Sequence, residues 1–283
     1  MMHPRRLLRW ALVGAIVATV LAYATIVAWF MASEEALVFK TSRTQHPVPS
    51  DVASRLEQVS GVAAGDAPAL LWVMRHEDAS APWVIFLHGN GANVSTPANV
   101  TRYRQLHDLG LSVLAPEYPG FGALGGTASE AKAAAAARAA WDWVRGAGVP
   151  ADRVAVYGWS LGSGVATHLA SAVDERALIL EGGFTGVDDR ARELYPWLPI
   201  RLMIRNPFAS RDRIAHVGSA LLLLHARDDE IIPFAHGERL LQAAREPKRL
   251  VALSGGHVRP NEVNEPTYTG ALRQFFDDVF DQR

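Results

Sequence analysis

Not one of the 283 residues is cysteine. Disulfide bridges, thiolate nucleophiles and cysteine-ligated zinc are therefore excluded. Compartment is left open by this absence, since secreted domains also fold without disulfides. A charge bias is missing too. Lys and Arg total 28 against 29 Asp and Glu, a formal net charge of −1. No cluster of Lys and Arg is spaced to follow a phosphate backbone, so nucleic acid is not expected as a partner. There is no internal repeat, and the only compositionally simple tract is the alanine-rich stretch before Arg145. The length suffices for one large domain plus an attached segment.

The attached segment lies at the N-terminus. Arg5, Arg6 and Arg9 precede an uncharged run from Trp10 to Ala32. At ~1.5 Å per residue this run spans ~34 Å as a helix, enough for a hydrocarbon core ~30 Å thick. Trp10 stands at one end, Trp29 and Phe30 at the other, where interfacial aromatics belong. Residues 1–33 are thus expected to form a single membrane anchor. The arginines put the N-terminus in the cytoplasm and the catalytic domain on the non-cytoplasmic side. A cleaved signal peptide is the competing expectation, because Ala22-Tyr23-Ala24 has the small-x-small form of a cleavage site. Cleavage there leaves the apolar stub Thr25–Phe30 exposed, which favours the retained anchor. An uncharged segment of this length is also a poor fit to a buried core helix.

Residues 34–67 read as a connector punctuated by Pro47, Pro49, Gly61 and Gly65. From residue 68 to 283 short apolar strands alternate with helices. Strands are predicted at Leu70–Met74, Trp83–Leu87, Leu111–Ala115, Val154–Tyr157, Ala177–Leu180, Ala220–Leu224 and Arg249–Leu253. Helices are predicted at Asn99–Leu109, from a capping box Thr127-Ala128-Ser129-Glu130 to Arg145, and at Leu161–Val173, Phe234–Ala244 and Pro266–Asp278. Such alternation predicts an α/β fold, a mostly parallel central sheet with helices on both faces. Its ligand site belongs at the carboxyl ends of the strands. Residues 184–217 break the alternation and are too long for a plain loop. They are expected to form a small helical cap over the site, or else an excursion packed away from it.

Four stretches after predicted strands carry chemistry. Gly158-Trp159-Ser160-Leu161-Gly162 joins a strand to a helix. Its glycines allow a tight turn that presents the serine hydroxyl, so Ser160 is the candidate nucleophile. In His88-Gly89-Asn90-Gly91, the Asn90 amide is expected to pair with the Leu161 amide as an oxyanion hole. His88 itself is read as shaping that loop. After the next strand, His225-Ala226-Arg227-Asp228-Asp229-Glu230 offers a carboxylate to orient a histidine, with Asp228 and Asp229 both available. No recognisable metal-ligand spacing accompanies them. Gly255-Gly256-His257 supplies the candidate base on a glycine-rich loop and completes the chain order Ser, Asp, His. His168, His216 and His236 receive no role.

With these residues in hand, the chain resembles the α/β-hydrolase superfamily over roughly 68–280, and within it the membrane-anchored α/β-hydrolase-domain proteins. The stretches that carry the likeness are Leu87-His88-Gly89-Asn90-Gly91-Ala92-Asn93, Glu117-Tyr118-Pro119-Gly120-Phe121-Gly122, Gly158 to Gly162, and Tyr195-Pro196-Trp197-Leu198-Pro199. In that family the acid stands four residues after a strand-ending His-Gly pair. Carried onto His225, the rule selects Asp229 over Asp228, although Ala226 replaces the usual glycine. Related members act on acylglycerols, lysophospholipids or acylated proteins. The resemblance implies a serine esterase or lipase that needs no cofactor and no metal, with a small-molecule or lipid ester as substrate. A serine peptidase with the same triad, and a non-catalytic membrane-tethered binding protein, remain alternatives. On the cap, Arg201 and Arg205 are read as solvated, with a phosphate head group as the other possibility. Oligomeric state is not legible.

Overall fold

The computed structural model describes residues 4–65 and 67–280. Helix α1 runs from Pro4 to Val38, five residues beyond the expected anchor. It is long and apolar enough to cross a membrane, and no residue of its most apolar window is buried against protein. A helix apolar on all sides leaves its surface to lipid. The stretch expected as a connector holds the last turn of α1, a short helix α2 (Ser50–Ala53) and strand β1 (Leu56–Ala64). β1 pairs antiparallel with β2 (Ala67–Met74). Sequence reading missed β1 because Gly61 interrupts it, at a break in the pairing register between Val59 and Val62.

From there β3 (Trp83–Leu87), α3 (Pro97–Asp108), β4 (Ser112–Glu117), α4 (Glu130–Gly146), β5 (Val154–Trp159), α5 (Leu161–Ala170) and β6 (Ala177–Glu181) follow in turn. The cap contains α6 (Val187–Leu194), α7 (Ile200–Met203) and α8 (Ser210–Arg213). The chain closes with β7 (Ala220–Ala226), α9 (Ala235–Ala243), β8 (Lys248–Leu253), α10 (Pro260–Val263) and α11 (Thr267–Phe280). One eight-stranded sheet results, in the order β1-β2-β4-β3-β5-β6-β7-β8. All pairings are parallel except β1–β2 and β2–β4.

The expected α/β architecture is therefore present, and its core lies in two layers. In β3, Trp83, Ile85 and Leu87 point into the layer covered by α4 and α5. Val84 and Phe86 point into the layer covered by α3 and α11. A strand buried on both faces has to be apolar throughout, as β3 is. One helix start differs from expectation. The N-cap of α4 is Ser129, whose hydroxyl accepts from the Lys132 amide at 3.2 Å, not Thr127. Glu130 does not reach back to a cap because the Phe208 amide (2.7 Å) and Arg213 (2.8 Å) take its carboxylate.

At the opposite end of the sheet from the candidate site, a cavity of about 860 Å³ borders Glu175. One carboxyl oxygen accepts from the Ser219 hydroxyl at 2.6 Å, and the other has no partner among the described residues. Burial raises this carboxyl to about 8, against the Ser219 hydrogen bond and with help from the nearby Asp174 charge. The unfolded chain releases the proton near pH 4.5, the folded chain only near 8. The contribution to stability is thus fully present below about 4.5 and is lost as pH rises through the window. Glu175→Gln should flatten this slope. In denaturant unfolding of the detergent-solubilised chain, the variant should be about 1–2 kcal/mol more stable than wild type at pH 8 and nearly equal at pH 4.5, a figure discounted for water in the adjoining cavity.

Candidate active site

Ser160 occupies the turn between β5 and α5 with φ 54° and ψ −120°. Positive φ is uncommon for a residue with a side chain and costs about 1–3 kcal/mol. Backbone hydrogen bonds hold the turn on both sides. The Ser160 amide donates to the Glu181 carbonyl at 2.9 Å, and the Ser163 amide donates to the Ser160 carbonyl at 2.8 Å. The flanking glycines are required by contact. A Cβ on Gly158 would run into the Gly162 carbonyl and the Ala166 methyl, and one on Gly162 into the Leu87 carbonyl. α5 thus packs directly on the ends of β5 and β3.

Asp229 and His257 come from two separate loops to the same place. His257 Nε2 lies 2.7 Å from Ser160 Oγ. Its Nδ1 lies 2.7 Å from Asp229 Oδ2. With Nδ1 donating to the carboxylate, the Nε2 lone pair faces the serine hydroxyl. The other Asp229 oxygen accepts from the Ile231 and Ile232 amides at 2.9 and 2.7 Å. Burial raises the Asp229 carboxyl, but hydrogen bonds from His225 and His257, the charge of His257 and the Ile232 amide outweigh it and hold the group well below the usual carboxylate range. Asp228 points elsewhere and accepts from the Gly255 amide at 3.1 Å. Ala226, where the family has glycine, is simply the last residue of β7, paired with Leu253 of β8. His257 sits on a loop whose Gly255 and Gly256 have φ of 100° and 67°.

The segments that carry the two amides expected at an oxyanion hole adjoin the serine. Leu161 is the first residue of α5, and the first amides of a helix have no intrahelical acceptor. The loop carrying Asn90 passes so close that a Cβ on Gly89 would lie 3.1 Å from Ser160 Cβ. The Asn90 side chain turns away, donating to the Val38 carbonyl at 2.7 Å and accepting from the Lys40 amide at 2.8 Å. His88 is fully buried, stacked on Tyr118 at 4.0 Å, with Nε2 3.0 Å from Glu117 and Nδ1 2.9 Å from the Gly89 carbonyl.

Sequence reasoning missed a buried ion pair beneath the turn. Arg102 of α3 forms a two-pronged pair with Glu181 at the end of β6, Nε to Oε2 being 2.8 Å. Tyr157 and Tyr268 also donate to Glu181, at 2.5 and 3.0 Å. The guanidinium lies 4.4 Å over the Trp159 ring, whose other neighbour is the His257 ring at 6.4 Å. Hydroxyls and the guanidinium more than offset burial and keep the Glu181 carboxyl below its usual range. The available signal was a lone acid closing an apolar strand.

A cavity of about 430 Å³ opens beside Ser160. Phe184, Val187 and Leu194 of the cap region line it, and so do Phe30, Glu34 and Leu37 of α1.

This arrangement has known counterparts. Residues 82–210 match a family model described as alpha/beta hydrolase fold. An uncharacterized protein of Mycobacterium tuberculosis is 37% identical over 74% of this chain and 74% of its own length. A lysophosphatidylserine lipase of Danio rerio is 31% identical over 63% of this chain and 51% of its own, so the chain spans about half of that relative. Among solved structures, an esterase of Pyrococcus furiosus shares the fold with a TM-score of 0.71 at 18% identity, over 85% of this chain and 99% of that one.

The buried pair generates a stability test. Glu181→Gln strands the Arg102 charge and should cost about 3–5 kcal/mol in denaturant unfolding, whereas Arg102→Met combined with Glu181→Leu should cost markedly less.

Proposed function

The chain belongs to the α/β-hydrolase superfamily, and from that premise we propose that it is a membrane-anchored serine hydrolase cleaving carboxylic esters of lipid-like substrates. The observation that carries the proposal is the unbroken line from Ser160 Oγ through the His257 imidazole to the Asp229 carboxylate, with both links at 2.7 Å.

Each residue has one task in this reading. His257 Nε2 accepts the Ser160 proton as Oγ bonds to the ester carbonyl carbon. The carbonyl electrons move onto oxygen, where the Leu161 and Asn90 amides stabilise the negative charge. When the tetrahedral intermediate collapses, the alkoxide leaves and takes the proton from His257. Water, deprotonated by the same imidazole, then releases the acid and restores Ser160. Asp229, held ionised by its environment, stabilises the imidazolium and fixes the tautomer.

Two further features support a lipid-like substrate at a membrane. One is α1, whose most apolar window is not buried against protein. The other is the naming of relatives 31–34% identical to this chain as lysophosphatidylserine lipases. Arg5, Arg6 and Arg9 favour an N-terminus on the cytoplasmic side, with the catalytic domain opposite.

The test uses the full chain in detergent with a fluorophosphonate probe, p-nitrophenyl esters of rising chain length, monoacylglycerol and lysophospholipid. Wild type should be labelled and Ser160→Ala should not. Asp229→Asn should lower kcat by about 10⁴ with folding retained. Failure of the folded wild type to react with the probe, or a preference for aminoacyl amides over every ester, would count against an ester hydrolase.

A further inference from the structure

The cavity beside Ser160 has a wall made of the membrane helix. Phe30, Glu34, Leu37 and Val38 of α1 line it. These positions follow a three-four spacing, so they share one helical face. Tyr23 and Val27, further back on that face, meet the cap. The Tyr23 hydroxyl donates to the Trp197 carbonyl at 3.0 Å, and Val27 packs against the cluster of Leu198, Ile200 and Met203. Phe30 stacks edge-on against Tyr195 and Trp197, with ring centres 5.4 and 6.5 Å apart. Glu34 locks the junction. Its buried carboxylate accepts from the Arg205 and Asn206 amides at 3.1 and 3.0 Å and from the Asn206 side chain. Four residues on, Val38 and Lys40 hold the Asn90 side chain in the loop beside Ser160.

Depth along the helix decides what this junction faces. Counting from Arg9, a hydrocarbon core ~30 Å thick takes up ~20 residues and ends near Trp29 and Phe30. Tyr23 then lies ~10 Å inside that boundary, and the Tyr195–Trp197 segment it touches lies in the outer part of the layer. The cap is dressed for this position: Leu194, Trp197 and Leu202 are exposed, Leu202 at 82%. Arg205 stands just above, donating to the Met31 carbonyl at 3.3 Å, at the level of the head groups. An apolar patch continuous with a spanning helix has the bilayer as its natural cover.

We infer that α1 is a working wall of the substrate pocket, and that the acyl chain of a lipid ester passes from the adjoining leaflet to Ser160 along the face carrying Phe30, Glu34 and Leu37. The cap segment Leu194–Leu202 is immersed beside it, so the substrate's chain never crosses water. This inference rests on the ester hydrolase proposed above and adds the route by which its substrate arrives.

The full chain in lipid nanodiscs tests it with two independent readouts. The first is the ratio of kcat/KM for a palmitoyl ester to that for a butyryl ester. Leu37→Trp should lower this ratio at least tenfold, and Leu37→Ala should leave it equal or raise it. The second needs no activity. The natural chain has no cysteine, so Leu202→Cys provides a unique site for an environment-sensitive fluorophore. That fluorophore should be quenched by lipids bearing a nitroxide on the acyl chain more strongly than by an aqueous quencher. An unchanged ratio in Leu37→Trp, a lowered ratio in Leu37→Ala, or a fluorophore reached chiefly from water, would overturn the inference. If Leu37→Trp does not fold, Leu37→Ala and the depth measurement still decide. Wild type that cleaves neither ester while its fluorophore reports lipid would instead sink the hydrolase reading and leave the immersed cap standing.

Discussion

The contact of Gly162 with the carboxyl end of β3 governs the rest of the site. There is no room for a Cβ between α5 and the Leu87 carbonyl, and none between Gly158 and the first turn of α5. Helix and strands therefore approach to backbone distance, and the one residue between them is forced to positive φ. Strain at Ser160 is offset by the hydrogen bonds its own backbone makes, the amide donating to β6 and the carbonyl accepting from the Ser163 amide of α5. That same approach sets the His88–Asn90 loop against the serine. The candidate nucleophile, the loop that carries Asn90 and the start of a helix are thereby gathered at one turn, with no separate device for each.

Electrostatics divides around this turn. On the solvent side of Trp159 stands His257, oriented by a carboxylate that stays ionised because three hydrogen-bond donors converge on it and the His225 ring lies 3.5 Å away. On the inner side lies Arg102, whose charge is answered by Glu181 and held against the ring. Buried pairs of this kind contribute little net stability, but removing either partner is costly. Their effect is to hold α3, β6 and the Trp159 platform in one arrangement, and so to keep the imidazole in register with the hydroxyl.

The apolar helix α1 is continuous with this arrangement. Through Glu34 it grips the cap, and through Val38, with Lys40 just past its end, it grips the loop beside Ser160. In the membrane-anchored reading proposed above, a tether of this geometry sets the height and tilt of the pocket over the lipid surface.

Much of this was legible along the chain, for identifiable reasons. The parallel sheet was announced by Trp83–Leu87 and Leu221–Leu224, because only strands covered on both faces are uniformly apolar. Ser160 was marked by glycines two residues to either side, a local steric demand that a linear sequence must record. The order Ser, Asp, His followed from the topology. What a linear pattern does not carry is which distant groups meet. Asp228 and Asp229 differ by one position, and only the turn after β7 sends one to His257 and the other to Gly255. Glu130 looked like a local cap and is taken by Phe208 and Arg213, 78 and 83 positions away. Arg102 and Glu181 are ordinary charges until α3 crosses the end of β6. The same holds for α1: its length and apolarity alone determined a helix fit for a bilayer, whereas only three-dimensional packing made one of its faces a wall of the pocket. Local sterics and periodicity are written in neighbouring residues. Pairing across the fold is chosen by burial, which acts on the folded chain as a whole.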